Sequence, residues 1–164
     1  MLKGPIMAAI MLSMIAPALA RDVKPMNKTS TEQSAEQSAE QNAAEIVVRR
    51  YMDLLHSGDI EHIMDLYDEN AVFLPEGGTT MVGKDKIRES YVALFKLISI
   101  PDGESTLEEA TIHGDIAVVR LATKATTQIL ADQQKIPLNS RELFILNKVG
   151  GDYKISRYMF NTLK

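Results

Sequence analysis

Six side chains in this sequence combine chemical reactivity with a patterned position: Tyr51, Tyr67 and Tyr91 in helical stretches, and Arg120, Lys124 and Glu142 in alternating ones. Tyr51 shares an apolar stripe with Val47, Leu54 and Leu55, and Tyr67 ends a second stripe of Ile60, Ile63 and Met64. Tyr91 stands with Ile87, Leu94, Phe95 and Ile98 on a third. A tyrosine in such a stripe is ordinarily core, its ring packed and its hydroxyl bonded. If the three phenols converge in a dry cavity, they form a chain of hydroxyls that offers a preorganised donor to a carbonyl or enolate oxygen.

The elements that must position these groups follow from periodicity. Residues 47–67 read as two short helices, the first ended by Gly58 in a left-handed turn and the second capped by Asp59. Residues 71–75 read as a short strand, Glu76-Gly77-Gly78 as a turn, and residues 79–82 as a returning strand. A third helix runs over residues 84–97, and Pro101-Asp102-Gly103 ends it and turns the chain. From Glu104 onward the period is two, giving long strands over 105–113, 116–130, 136–149 and 153–163. Short connections make these neighbours antiparallel. Helices that cover one face of such a curved sheet define an α+β domain.

Alternation leaves the inward face of that sheet open. Hydrophobicity favours the odd-numbered face as core, while a polar-lined pocket would favour the even-numbered face carrying Arg120, Lys124 and Glu142. A hairpin turning near Gln133 would put Lys124 opposite Glu142, as a structural ion pair or as part of a site. An isolated ionised Glu142 in a cavity would cost several kcal/mol, so it must be neutral or paired.

Composition narrows the function classes. Met1 to Ala20 has a basic start at Lys3, an apolar run too short to span a bilayer, and a small-x-small site at Ala18-Leu19-Ala20. It reads as a cleaved secretory signal, which predicts a periplasmic or secreted protein with no membrane attachment. Without Lys3 the chain has 17 basic and 22 acidic residues and no basic stripe, so nucleic acid is not an expected partner. No cysteine is present, so no disulfide supports the fold. Residues 21–42 contain the repeat TEQS, AEQS, AEQN, which is either a solvated linker or a forward extension of the first helix. The domain proper is expected over residues 43–164. His56, His62 and His113 lack metal-ligand spacing and are expected at the surface. The glycine pairs are turns and not phosphate loops, and no serine lies in a nucleophile elbow.

The residues Arg50-Tyr51, Gly58-Asp59, Ala71-Val72-Phe73-Leu74-Pro75, Gly83, Tyr91, Arg141-Glu142-Leu143-Phe144 and Tyr158-Met159-Phe160-Asn161 together resemble the nuclear transport factor 2-like superfamily. Within it the pattern is most similar to small SnoaL-like proteins, relatives of the ketosteroid isomerases and scytalone dehydratase. The resemblance implies a cone of strongly bent sheet around the helices, a cavity inside, and a homodimer formed through the convex face. It also implies Tyr51 as oxyanion donor supported by Tyr67 and Tyr91, and Glu142, or Leu143 one residue on, at the position of a protonated acid, a case already well described for ketosteroid isomerase. The strand positions lining the cavity would be Arg120, Ala122, Ser156 and Phe160, which makes the even-numbered face concave. Arg120 then anchors a polar group, and Lys124, Tyr158 and Phe160 complete the ligand-binding set, with no metal or organic cofactor. The isomerases' aspartate base falls on Pro75, with Glu76 turned to the other face, so proton abstraction of that kind lacks its base. The reading is a small-molecule-binding protein, with isomerisation, cyclisation or dehydration as its possible chemistry and a non-catalytic module as the alternative.

Overall fold

The computed structural model describes residues 29–163 of the chain. The expected signal segment lies outside them. The first helix, α1 (Ser30–Ser57), takes in the whole TEQS, AEQS, AEQN repeat, so these residues are helical and not linker. Its start is set by a capping box: the Thr29 side chain accepts from Glu32 N–H while the Glu32 carboxylate accepts from Thr29 N–H. The front of α1 is tied to the sheet at three points. Gln41 Nε2 donates to Ala110 O at 2.9 Å, Tyr153 Oη donates to Glu40 Oε2 at 2.7 Å, and Lys148 pairs with the same carboxylate. Gly58 ends the helix with φ 69°, a left-handed conformation that glycine adopts without strain.

Asp59 caps α2 (Ile60–Leu66), accepting from His62 N–H at 3.2 Å. Strand β1 (Tyr67–Leu74) begins at Tyr67 itself, so this tyrosine is the last residue of the helical stripe and the first of the sheet. A short β2 (Met81–Val82) and α3 (Lys84–Leu94) follow. The chain then enters β3 (Ile98–His113), which continues through β4 (Ile116–Ile129), β5 (Lys135–Val149) and β6 (Asp152–Thr162). Pro101-Asp102-Gly103 was expected to turn the chain, yet it lies inside β3. The strand order is β2-β1-β6-β5-β4-β3, so β3 is an edge, where a residue without an N–H is tolerated. A register shift between Ser99 and Asp102 absorbs the proline.

All neighbouring strands pair antiparallel except β1 and β6, which are parallel, making the sheet mixed. Register decides which residues face the helices. In the β4–β5 hairpin Leu121 pairs with Glu142, and Lys124 with Asn139. The connection, residues 130–134, is as long as the expected one, but the hairpin is centred between Ala131 and Asp132 and not at Gln133, which adopts φ 61°. This odd-numbered slip moves Lys124 and Arg120 to the face opposite Glu142. No single parity is concave throughout. The inner face is odd in β4 (Ala117, Val119, Leu121, Thr123) and even in β5 (Ser140, Glu142, Phe144, Leu146). In β6 it is Tyr158 and Phe160 beyond a bulge between Ile145 and Leu146.

Candidate functional site

Helices α1 and α3 and the inner faces of β1, β4, β5 and β6 enclose a cavity of about 190 Å³. Its closed end is aromatic. Phe144, Tyr158 and Phe73 are cross-strand neighbours whose rings stack, with centroids 4.4 Å apart for Phe144–Tyr158 and 5.0 Å for Phe73–Tyr158. Tyr91 of α3 extends the stack from Phe73, and Tyr51 meets Tyr158 and Phe144 edge-on.

Three phenols meet there. Tyr91 Oη lies 2.5 Å from Tyr51 Oη and 3.1 Å from Tyr67 Oη, so Tyr91 is the centre of the network and Tyr51 its cavity end. Tyr67 does not line the cavity and acts through Tyr91. All three rings are at most 2% exposed. Burial pushes the Tyr51 and Tyr67 hydroxyls well above the usual tyrosine range, and Tyr91 to about 12, so all three hold their protons at neutral pH.

Glu142 is the one carboxyl on the cavity wall, and it is 5% exposed. Ser140 Oγ donates to its Oε1 at 3.0 Å, and Tyr158 Oη points at Oε2 at 3.4 Å. Burial raises its pKa, and hydroxyl contacts from Thr123, Ser140 and Tyr158 only partly offset that. Among the described residues no lysine or arginine shares the cavity wall. The leftover hydrogen-bonding capacity of this carboxyl therefore faces an apolar chamber rather than a counter-ion.

The two basic residues expected here are elsewhere. Arg120 sits on the outer face, its Nε donating to Glu109 Oε2 at 2.7 Å with Glu108 Oε2 at 3.7 Å from its Nη2. Lys124 is exposed on the same outer face, paired across the sheet with Glu104 and Asn139. Ala122 also lines the outer side, and Ser156 is the extra residue of the β6 bulge, its Oγ accepting from Arg157 Nη1 at 3.0 Å. Tyr51, Tyr91, Tyr158, Phe160 and Glu142 all line the cavity. Pro75 follows β1, and the Glu76 carboxylate accepts from Thr162 N–H at 2.7 Å and Thr162 Oγ1 at 2.6 Å, which holds it at the end of β6.

His56, expected at the surface, lines the cavity. Its Nε2 is buried without a hydrogen-bond partner and lies against Gly103, where an added Cβ would be 2.7 Å from it. An unpaired buried nitrogen of this kind costs about 1–3 kcal/mol. One signal was available in the sequence: His56 follows Met52 by four residues and so shares its helix face. Thr123 and Ser140 were also missed, because small hydroxyl residues show no periodic contrast until the register is known.

Residues 48–158 match the SnoaL-like domain family model, and the chain belongs to this family. No curated protein matches it by sequence. Among solved structures, a ketosteroid isomerase-like protein from Erwinia carotovora atroseptica is 27% identical, with TM-score 0.73 over 76% of this chain and 97% of its own. A candidate scytalone dehydratase from Novosphingobium aromaticivorans is 16% identical, with TM-score 0.67 over 77% and 86%. A nuclear transport factor 2-like protein from Cytophaga hutchinsonii is 14% identical, with TM-score 0.64 over 75% and 98%. The last two, with their low identity, show the fold alone, and that fold is the cone of bent sheet and three helices.

Proposed function

We propose that this protein binds a small, mostly apolar molecule bearing a carbonyl or carboxylate oxygen, received between Tyr51 and Glu142. The observation that carries this reading is the buried Glu142, with no lysine or arginine among the described residues on its wall, in the same cavity as a tyrosine network that ends at Tyr51. With hydroxyl protons running Tyr67 to Tyr91 to Tyr51, the Tyr51 O–H is left to donate into the cavity, and a protonated Glu142 supplies a second donor. Two such donors stabilise charge developing on a carbonyl oxygen, which is the common requirement of isomerisation, cyclisation and dehydration through an enolate. The aspartate base of the isomerases has no counterpart at Pro75, and Glu76 is held at the end of β6. That difference favours binding, or chemistry driven by the two donors, over isomerisation that begins with proton abstraction.

The Lys3 start, the short apolar run and Ala18-Leu19-Ala20 support export to a periplasm or medium, and N-terminal sequencing of protein from its own host checks it, with Arg21 as the expected first residue. For the cavity, native mass spectrometry of host-derived protein should show a retained small molecule. Tyr51→Phe should weaken binding of that molecule, or of a simple phenol, while changing stability by about 1 kcal/mol. Unchanged binding in Tyr51→Phe and in Glu142→Gln would sink the reading.

A further inference from the structure

We infer that His56 is a second polar contact for the ligand, at the end of the cavity away from Tyr51 and Glu142, so that the ligand carries polar atoms at both ends of a rigid apolar body. This inference rests on the proposed binding role of the cavity. Its first support is that His56 lines the cavity while its Nε2 meets no protein partner. Of the other polar side chains on that wall, Tyr51 and Tyr91 have each other, Thr123 has Ser105, and Ser140 and Tyr158 have Glu142, while Thr127 stands at the same end as His56. Beside Tyr51 and Glu142, an imidazole that makes no hydrogen bond to the protein is a further polar group left for a guest.

The second support is position. His56 follows Tyr51 by five residues, which is about 7–8 Å along the axis of α1. On the sheet side it and Ala125 both lie at Gly103, whereas the Glu142 carboxyl meets Thr123 and Ser140, two residues and about 7 Å back along β4. Both measures displace His56 in one direction, toward the part of the cavity lined by Leu94, Ile98, Thr127 and Leu138. Leu94 is 36% exposed, so the cavity opens on that side. The apolar part of the wall includes Phe73, Phe160, Leu55 and Ile100, which suits a flat ring system. The third support is Gly103. It adopts ordinary negative φ, so no backbone constraint demands glycine, and a Cβ there would fall 2.7 Å from His56 Nε2 and 3.0 Å from Ala125 Cβ. The missing side chain leaves the imidazole its place on the wall.

The test compares a naphthol with one hydroxyl against the naphthalenediol whose second hydroxyl lies at the far end of the ring system. Affinities are measured by calorimetry on the full mature chain. The native protein should prefer the diol by about two- to tenfold, the range of one added hydrogen bond. His56→Phe should erase that preference and leave naphthol affinity within about twofold, while His56→Gln, which keeps a donor and an acceptor, should restore part of it. Gly103→Ala, by displacing the ring, should behave like His56→Phe. The His56 ring-nitrogen chemical shift should move with the diol and not with the naphthol. A diol preference that survives His56→Phe, or its absence in the native protein, overturns the assignment to His56 and leaves the binding role of the other end standing. Failure of both compounds to bind overturns both readings.

Discussion

Burial alone sets the direction in which Glu142 responds to pH. Its carboxyl is raised above the ordinary 4.5 by desolvation, so the folded chain keeps this proton at pH values where the unfolded chain has lost it. Stability from this group is full below 4.5 and falls as pH rises through the folded value. Other carboxyls pull the opposite way: Glu40 is held low by Lys148 and Asp59 by His62. The informative quantity is therefore the difference between the native protein and Glu142→Gln. Denaturant midpoints across the acid-to-neutral range should diverge as pH rises, with the glutamine variant becoming the more stable. The opposite trend would mean that Glu142 is ionised in the fold, and its role as donor would be lost. At this scale the tyrosine network was legible from spacing and resemblance, because three helical stripes each place one ring inward. The unpaired nitrogen of His56 was not, because the residue that accommodates it, Gly103, is distant in sequence and is brought close only by the packing of α1 on β3.

Elements were mostly legible, and their register was not. Helix ends at Gly58-Asp59 and the four long strands follow from local chemistry, which acts over a few residues. The facing of Arg120 and Lys124 depends on where one hairpin is centred, which is between Ala131 and Asp132, and a left-handed Gln133 closes the loop there. Glutamine gives little warning of that conformation, which more often calls for glycine or asparagine. The parity argument makes a clear prediction. Arg120→Ala removes an exposed pair with Glu109 and Glu108, so it should cost less than about 1 kcal/mol and leave naphthol binding unchanged. Lys124→Ala should likewise leave binding unchanged. A loss of binding in either variant, with stability retained, would place these side chains at the ligand after all. The repeat in α1 shows the same limit on local reading. Ala, Glu and Gln allow a helix there, but it is Glu40 meeting Lys148 and Tyr153, and Gln41 meeting Ala110, that hold it on the sheet.

For the whole molecule, the resemblance implied a homodimer through an apolar convex face. The outer face is more mixed than that. Val118, Leu143, Ile145 and Met159 cluster across β4, β5 and β6, and Arg120, Arg141 and Arg157 stand beside them. A dimer through this patch is our proposal, and sedimentation at micromolar concentration should find one that Met159→Lys weakens. A monomer at that concentration would exclude it. Among the described residues no helix is long and apolar enough to cross a membrane.

The last strand in chain order, β6, lies in the middle of the sheet, gripped by β1 on one side and β5 on the other. A ribosome or a translocon delivers β6 after every other strand, so until then β1 has only the two-residue β2 beside it and the aromatic stack lacks Tyr158. The chamber is consequently a late product of synthesis. A nascent chain that stalls short of its final segment carries an open seam rather than a smaller version of the same vessel.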